Sequence, residues 1–194
     1  TITWQYPATT EVFVQSTSTG WSNIWGQKNS GHPQYPARAS LQSIMSTSSL
    51  TFDAATVRVW EEVIGRNVIT TLRLGVFEDD GSNKPLLTSR LGEATVDQLG
   101  NVATSTHLTF TFGSSLTLSA GTKYWFALDV GSVSDNAAYF ENQWRNAIAT
   151  GDLIPSGEAG IGAVEECTNN DYCSTTIPSP SGDADWYLKL YLRQ

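Results

Sequence analysis

The residues of this chain that could do acid–base chemistry are three pairs of neighbouring carboxylates and two histidines. The pairs are Glu61/Glu62, Asp79/Asp80 and Glu165/Glu166, and the histidines are His32 and His107. Cleavage of a glycosidic bond needs two carboxyl groups that face the same linkage. Neighbours in a strand point to opposite faces, so Glu61 and Glu62 do not provide that pair together. We therefore expect no enzyme, and a glycoside hydrolase or lyase with carboxylates from distant strands is the enzymatic alternative.

A stretch of oxygen-bearing side chains, Asp79-Asp80-Gly81-Ser82-Asn83, offers the hard ligands that calcium prefers. The same residue types are equally typical of a hairpin turn. Structural calcium at Asp79 and Asp80 is one interpretation, and a simple turn is the other. Asp183 and Asp185 form a second calcium candidate. No other cofactor is expected.

The two cysteines, Cys167 and Cys173, enclose the sequence Thr-Asn-Asn-Asp-Tyr. This spacing fits no common zinc or thioredoxin motif, so we predict a local disulfide, with two reduced thiols as the alternative. A disulfide indicates an oxidising, extracellular location.

Aromatic side chains are the prominent binding groups, with seven Trp and seven Tyr among 194 residues. Clustered apolar side chains on a protein surface usually meet a partner, and indole and phenol rings stack well on the flat faces of sugars. The candidates are Trp60, Trp125, Tyr187 and Tyr191, opposite the apolar residues of their strands, and Trp21, Trp25, Tyr35, Trp144, Arg145 and Tyr172, in or beside long loops. Alternatively, those loops cover an outer sheet face, and Trp60 and Trp125 form a second small core.

Length and charge narrow the class of protein further. The chain has 40% hydrophobic and 15% charged residues, as expected for one folded domain over residues 1–194. Its net charge of −8 disfavours nucleic acid and favours neutral over anionic glycans. No apolar run reaches the length of a membrane span. The start at Thr1, without a visible signal peptide, suggests a mature or excised domain with neighbouring domains in a longer protein.

Alternation of apolar and polar residues recurs along the chain and predicts strands. In the last strand, one face carries Trp186, Leu188, Leu190 and Leu192, and the other carries Tyr187, Lys189, Tyr191 and Arg193. About eight to ten strands predict an all-β, antiparallel, two-sheet β-sandwich. A jelly roll is the preferred topology, and an immunoglobulin-like sandwich is the alternative. Residues 16–39 and 146–182 are expected to be long loops, and 137–144 a strand.

The strand sequences carry a family resemblance. Leu118-Ser119-Ala120-Gly121-Thr122-Lys123-Tyr124-Trp125-Phe126 is its most distinctive part, and it continues to Gly182-Asp183-Ala184-Asp185-Trp186-Tyr187. Over roughly residues 40–194, the chain resembles jelly-roll modules of secreted bacterial and viral proteins, including the carbohydrate-binding modules of polysaccharide-degrading enzymes. The resemblance implies a non-catalytic domain, often with structural calcium, and leaves the ligand open.

Two functions follow from these observations. We expect a secreted, non-catalytic carbohydrate-binding module whose partner is a poly- or oligosaccharide, because exposed aromatic residues occur without a catalytic set. A structural or receptor-binding jelly-roll domain of a viral tail, a capsid or a bacterial surface protein is the alternative.

Overall fold

The computed structural model describes residues 9–16, 20–25, 38–61, 70–98, 105–133, 143–150, 159–166, 172–176 and 184–193. The regular structure of these ranges is β-strand throughout, and they include no helix long and apolar enough to cross a membrane. The strands are β1 (Thr9–Gln15), β2 (Gly20–Trp25), β3 (Arg38–Met45), β4 (Leu50–Glu61), β5 (Thr70–Asp79), β6 (Pro85–Gln98), β7 (Thr106–Leu118), β8 (Lys123–Val133), β9 (Gln143–Thr150), β10 (Ala159–Glu166), β11 (Tyr172–Thr176), β12 (Ala184–Trp186) and β13 (Leu188–Arg193). For β2, β9, β10 and β11, the backbone alone is described.

Two antiparallel sheets of four strands each pack face to face. The first sheet has the strand order β1-β13-β4-β7, and the second has the order β3-β8-β5-β6. The apolar side chains of both sheets meet between them in one continuous core. The β-sandwich predicted from the alternating pattern is therefore confirmed.

The last strand contributes to this core as its alternation predicts. Trp186, Leu188 and Leu190 are buried, whereas Leu192 is only half-buried. Full burial of a side chain of this size stabilises a fold by about 1.5–3 kcal/mol. The inner face of β13 therefore helps to fix its register against β4.

The tight turn before β8 explains the most distinctive sequence motif. Gly121 has a φ of 71°, a left-handed conformation that favours glycine. Its amide donates to the carbonyl of Ser46 at 2.8 Å, which ties the turn to the end of β3. Tyr124 is buried, and its hydroxyl accepts a hydrogen bond of 3.0 Å from the amide of Ser119.

The two segments predicted as long loops contain strands, so this prediction is wrong in part. Segment 16–39 contains β2, and segment 146–182 contains most of β9 together with β10 and β11. β2 pairs with β9, while β10 pairs with both β3 and β11. The glycines and alanines of β10 give no apolar alternation, so its pairing depends on backbone hydrogen bonds that the sequence pattern does not reveal. Of the strand predicted at 137–144, residues 137–142 lie outside the described residues.

Strands β2 and β9 join the two sheets at one end of the sandwich. β9 pairs with β4 of the first sheet, and Trp25 of β2 pairs with Arg38 of the second. A buried side chain makes another link, because Gln42 of β3 accepts from the amide of Trp186 at 2.8 Å. Gln42 also donates to Asp185 at 3.1 Å. This end of the molecule is therefore held by both backbone and side-chain bonds.

Candidate functional site

The two outer faces of the sandwich differ in how far they are covered. The outer face of the second sheet, here the covered face, is buried over β3, β8 and β5, and it is exposed along β6 at Glu93 and Thr95. Its buried residues include Ala39, Leu41, Ser43, Arg73, Phe77, Trp125, Ala127 and Asp129. The outer face of the first sheet is here called the open face. Its larger side chains keep accessible surface, since His107 is exposed and five others are half-buried: Arg58, Trp60, Tyr187, Lys189 and Tyr191. This difference decides which of the predicted aromatic residues a ligand can reach.

Trp125 lies on the covered face, and its prediction as a ligand contact is corrected by the structure. Its side chain is 0% exposed, and it lies opposite Phe77, which is 1% exposed. The indole Nε1 donates a hydrogen bond of 2.7 Å to Asp79. The alternative prediction of a second small core is confirmed for Trp125, whereas Trp60 belongs to the open face.

A buried ion pair lies beside this second core. Arg73 donates from Nε to Oδ1 of Asp129 at 3.0 Å and from Nη2 to Oδ2 at 2.6 Å, and both residues are 6% exposed. Glu93 lies 3.9 Å from the same guanidinium. Sequence reasoning missed this pair, although both residues stand opposite the apolar members of their predicted strands. Its bidentate geometry satisfies both charges and makes it a stabilising contact.

The register of β13, β4 and β7 arranges the open face in rows across the sheet. Directly opposite residues lie on the same side of a sheet. Lys189 lies opposite Thr56, which lies opposite Thr109, and the two threonine hydroxyls are 2.8 Å apart. In the neighbouring row, Tyr191 lies opposite Ala54. The long side chains of Lys189 and Tyr191 therefore have small neighbours on β4, and both remain half-buried.

An aromatic pair occupies the middle of the open face. The rings of His107 and Tyr187 have centroids 4.9 Å apart at an interplanar angle of 55°. Arg58 lies opposite His107, and its Nε and Nη2 donate to the hydroxyl of Ser105 at 3.3 and 2.8 Å. Alternation places His107 on the solvent side of its strand, but only the fold shows that it pairs with Tyr187.

Two ion pairs lie on the margin of the open face. Lys189 lies 3.2 Å from Glu11, and Arg193 lies 3.0 Å from Asp53. The hydrogen bond to Glu11 raises the pKa of Lys189 above its ordinary value of 10.5, and the neighbouring tyrosines act in the same direction. Lys189 is therefore a cation at any physiological pH.

Strands β9 and β2 continue the open face beyond Trp60. Trp60 lies opposite Arg145 of β9, which lies opposite Asn23 of β2. Trp21 and Trp25 lie two positions before and two positions after Asn23 in β2. The register thus brings Trp21, Trp25 and Arg145 to the end of the open face that Trp60 occupies.

The remaining predicted aromatic residues are placed elsewhere. Trp144 lies opposite Glu61 in the register, one position from Arg145. Tyr172 begins β11, which joins the second sheet through β10. Tyr35 lies outside the described residues.

The predicted disulfide falls largely outside the described residues. Cys167 is not among them, and Cys173 is described by its backbone alone, in β11. The disulfide stays a prediction.

The candidate calcium residues form the turn between β5 and β6. Oδ1 of Asp79 accepts from the amide of Gly81 at 2.8 Å, and Oδ1 of Asp80 accepts from the amide of Ser82 at 2.7 Å. Gly81 has a φ of 84°, as this turn requires. In the part of the chain that the structure describes, no three residues among His, Cys, Asp and Glu cluster as metal ligands would. The two carboxylates thus stabilise the turn by accepting hydrogen bonds from its backbone amides. Calcium binding here stays a prediction.

Comparisons with known proteins add no relative to these observations. No family model matches this chain, and no curated protein matches it. The open face itself therefore carries the functional conclusion.

Proposed function

We propose that this protein is a non-catalytic carbohydrate-binding module of a secreted, multidomain protein and that the open face is its ligand site. The observation that carries the proposal is the contrast between the two outer faces. Trp125 and Phe77 are buried on the covered face, whereas Trp60, Tyr187 and Tyr191 keep accessible surface on the open face. Aromatic rings that remain accessible beside hydrogen-bonding side chains are suited to stack on sugar rings.

The polar residues of the open face fit the same function. Thr109 is exposed, and Arg58 and Lys189 are half-buried beside the aromatic rings. Sugar hydroxyls both donate and accept hydrogen bonds, so hydroxyl and cationic side chains at the rim of an aromatic platform can fix the orientation of a bound ring. Such a surface binds a glycan without any step of bond cleavage.

The strand order supports a jelly-roll topology as part of this proposal. From β3 to β8, the chain crosses between the two sheets at every connection except the β5–β6 hairpin. β13 then returns to the middle of the first sheet, between β1 and β4. Repeated crossing between two antiparallel sheets is typical of paired Greek keys. Secretion and the Cys167–Cys173 disulfide belong to the same proposal.

Titration calorimetry of the purified protein against a panel of soluble neutral and acidic polysaccharides tests the proposal. We expect binding to at least one polymer, and we expect Trp60→Ala or Tyr191→Ala to weaken it about tenfold or more. Thr117→Ala is a matched control, because Thr117 is exposed at the far end of the same sheet, where its hydroxyl contacts Thr51 at 3.1 Å.

Two outcomes would overturn the proposal. One is the absence of binding to every polysaccharide, together with a stable oligomer in light scattering, which would favour a structural domain. The other is binding that the Trp60 and Tyr191 variants leave unchanged.

A further inference from the structure

The charge balance of the open face is opposite to that of the whole chain. The chain has 11 Lys and Arg residues against 19 Asp and Glu residues. The open-face positions of β4, β7 and the segment around β13 are Ala54, Thr56, Arg58, Trp60, His107, Thr109, Thr111, Tyr187, Lys189, Tyr191 and Arg193. None of these positions is a carboxylate, whereas three are cations and one is a histidine.

Two described carboxylates, Glu11 opposite Tyr191 and Asp53 in β4, also belong to this face, and each is paired with one of its cations. Glu11 belongs to the edge strand β1 and pairs with Lys189 at 3.2 Å. Asp53 lies at the irregularity before Ala54 and pairs with Arg193 at 3.0 Å. Exposed ion pairs of this kind contribute little free energy, so Lys189 can exchange Glu11 for an anion on a ligand at small cost.

Rings and cations follow one another along the strand direction. Trp60 and Ala54, the partner of Tyr191, are separated by about 20 Å along β4 at the usual rise per residue. Arg58, Tyr187 and Lys189 lie between these two ends. A single sugar would cover only part of this strip, whereas an extended chain of rings that carry negative groups would use all of it.

We propose that the ligand of the open face is an acidic polysaccharide that lies along β4, with its rings on Trp60, Tyr187 and Tyr191 and its carboxylate or sulfate groups on Arg58 and Lys189. This inference rests on the proposed function and names its class of glycan. It reverses the expectation drawn from net charge. Distant charges are screened within about 8–10 Å at physiological salt, so the groups in contact with the ligand decide its preferred charge.

Paired polymers that differ only in charge test this inference. Polygalacturonate, alginate and hyaluronan are compared with their carboxyl-reduced forms, and dextran sulfate is compared with dextran. We expect at least one acidic polymer to bind about tenfold or more tightly than its neutral form, and we expect its affinity to fall as sodium chloride is raised.

Charge-neutralising variants locate the effect on the open face. Arg58→Gln and Lys189→Gln should each weaken binding of that acidic polymer several-fold more than they weaken binding of its neutral form. Lys84→Gln removes the same charge in the turn between β5 and β6, on the other sheet, and should bind like the unaltered protein.

The results that would overturn this inference differ from those that would overturn the proposed function. Equal binding of the acidic and neutral forms would overturn the inference and leave the proposed function standing. Binding to no polysaccharide at all would overturn both. Equally tight binding of single-stranded DNA would overturn the inference as well, because the face would then respond to any polyanion.

Discussion

The indole Nε1 of Trp125 lies 2.7 Å from Oδ2 of Asp79 and donates a hydrogen bond to it on the covered face. This bond anchors β8 to the end of β5, next to the turn that leads into β6. A buried indole needs such an acceptor, since an unsatisfied N–H group in the interior is costly. Trp60 also lies on the outer side of its strand, but on the open face, where its side chain is half-buried. The two tryptophans should therefore respond very differently to substitution.

Replacement of Trp125 should destabilise the fold far more than replacement of Trp60. Trp125→Ala is expected to lower the free energy of unfolding by about 3–5 kcal/mol, because it leaves a large cavity. Trp60→Ala is expected to cost about 1 kcal/mol or less. Urea unfolding followed by circular dichroism measures both values. Equal losses would contradict the assignment of the two outer faces.

Gly75 is predicted to be intolerant of a side chain. A Cβ atom at this position would lie 2.6 Å from Cε2 of Phe77, whose ring covers the glycine. Gly75→Ala should therefore cost about 1–3 kcal/mol, as overpacking does. Gly113→Ala in β7 is the control, because a Cβ atom there meets nothing within 4 Å. Thermal unfolding should show a lower Tm for the first variant only, and a Tm unchanged by Gly75→Ala would show that the ring is not held in place.

Removal of one partner of the buried Arg73–Asp129 pair should lower the free energy of unfolding strongly, whereas replacement of both partners by apolar residues should lower it little. Asp129→Leu alone leaves the Arg73 guanidinium buried beside Glu93, and it should cost about 3–5 kcal/mol. The double variant Arg73→Met/Asp129→Leu should recover most of that loss, because no charge then remains buried without its partner. Chemical denaturation of the unaltered protein, of Arg73→Met, of Asp129→Leu and of the double variant gives the coupling energy, and additive losses would contradict a bidentate pair.

The pKa of Lys189 should depend on Glu11. The hydrogen bond to Glu11 raises this pKa above 10.5, so the stabilisation is fully present below pH 10.5 and is lost as the pH rises through the higher folded-state value. Glu11→Gln should lower the pKa of Lys189 toward 10.5 and remove that part of the alkaline pH dependence. A titration of the lysine side-chain carbons by nuclear magnetic resonance measures it. An unchanged pKa would show that the pair does not persist in solution.

The strands with clear alternation were predictable from the sequence alone. In β13, the apolar residues Leu188 and Leu190 face the core, and Lys189 and Tyr191 face outward, as their order indicates. The same pattern places Trp60 and Trp125 on outer faces, but it holds no information on which outer face is covered. Whether an outer sheet face is buried depends on where distant segments of the chain fold, and the alternation within one strand contains no information about them.

Two strands without apolar–polar alternation, β10 and β2, were not predicted from the sequence. β10 is rich in glycine and alanine, and β2 lies among aromatic residues that suggest a loop. Only their partners, β3 and β9, identify them as strands. The proximity of Trp60 to Arg145 likewise follows from a long-range register that neither local sequence contains.

A ¹H–¹⁵N spectrum of the protein, titrated with oligosaccharides from the tightest-binding polymer, tests the ligand site most directly. The indole signals of Trp60 and Trp125 report the two outer faces within one sample. We predict large shifts for the Trp60 indole and for the amides of Arg58, Lys189 and Tyr191, with the Trp125 indole unchanged. Shifts centred on Trp125 and the neighbouring strands β5 and β8, with Trp60 unmoved, would contradict the open face as the ligand site.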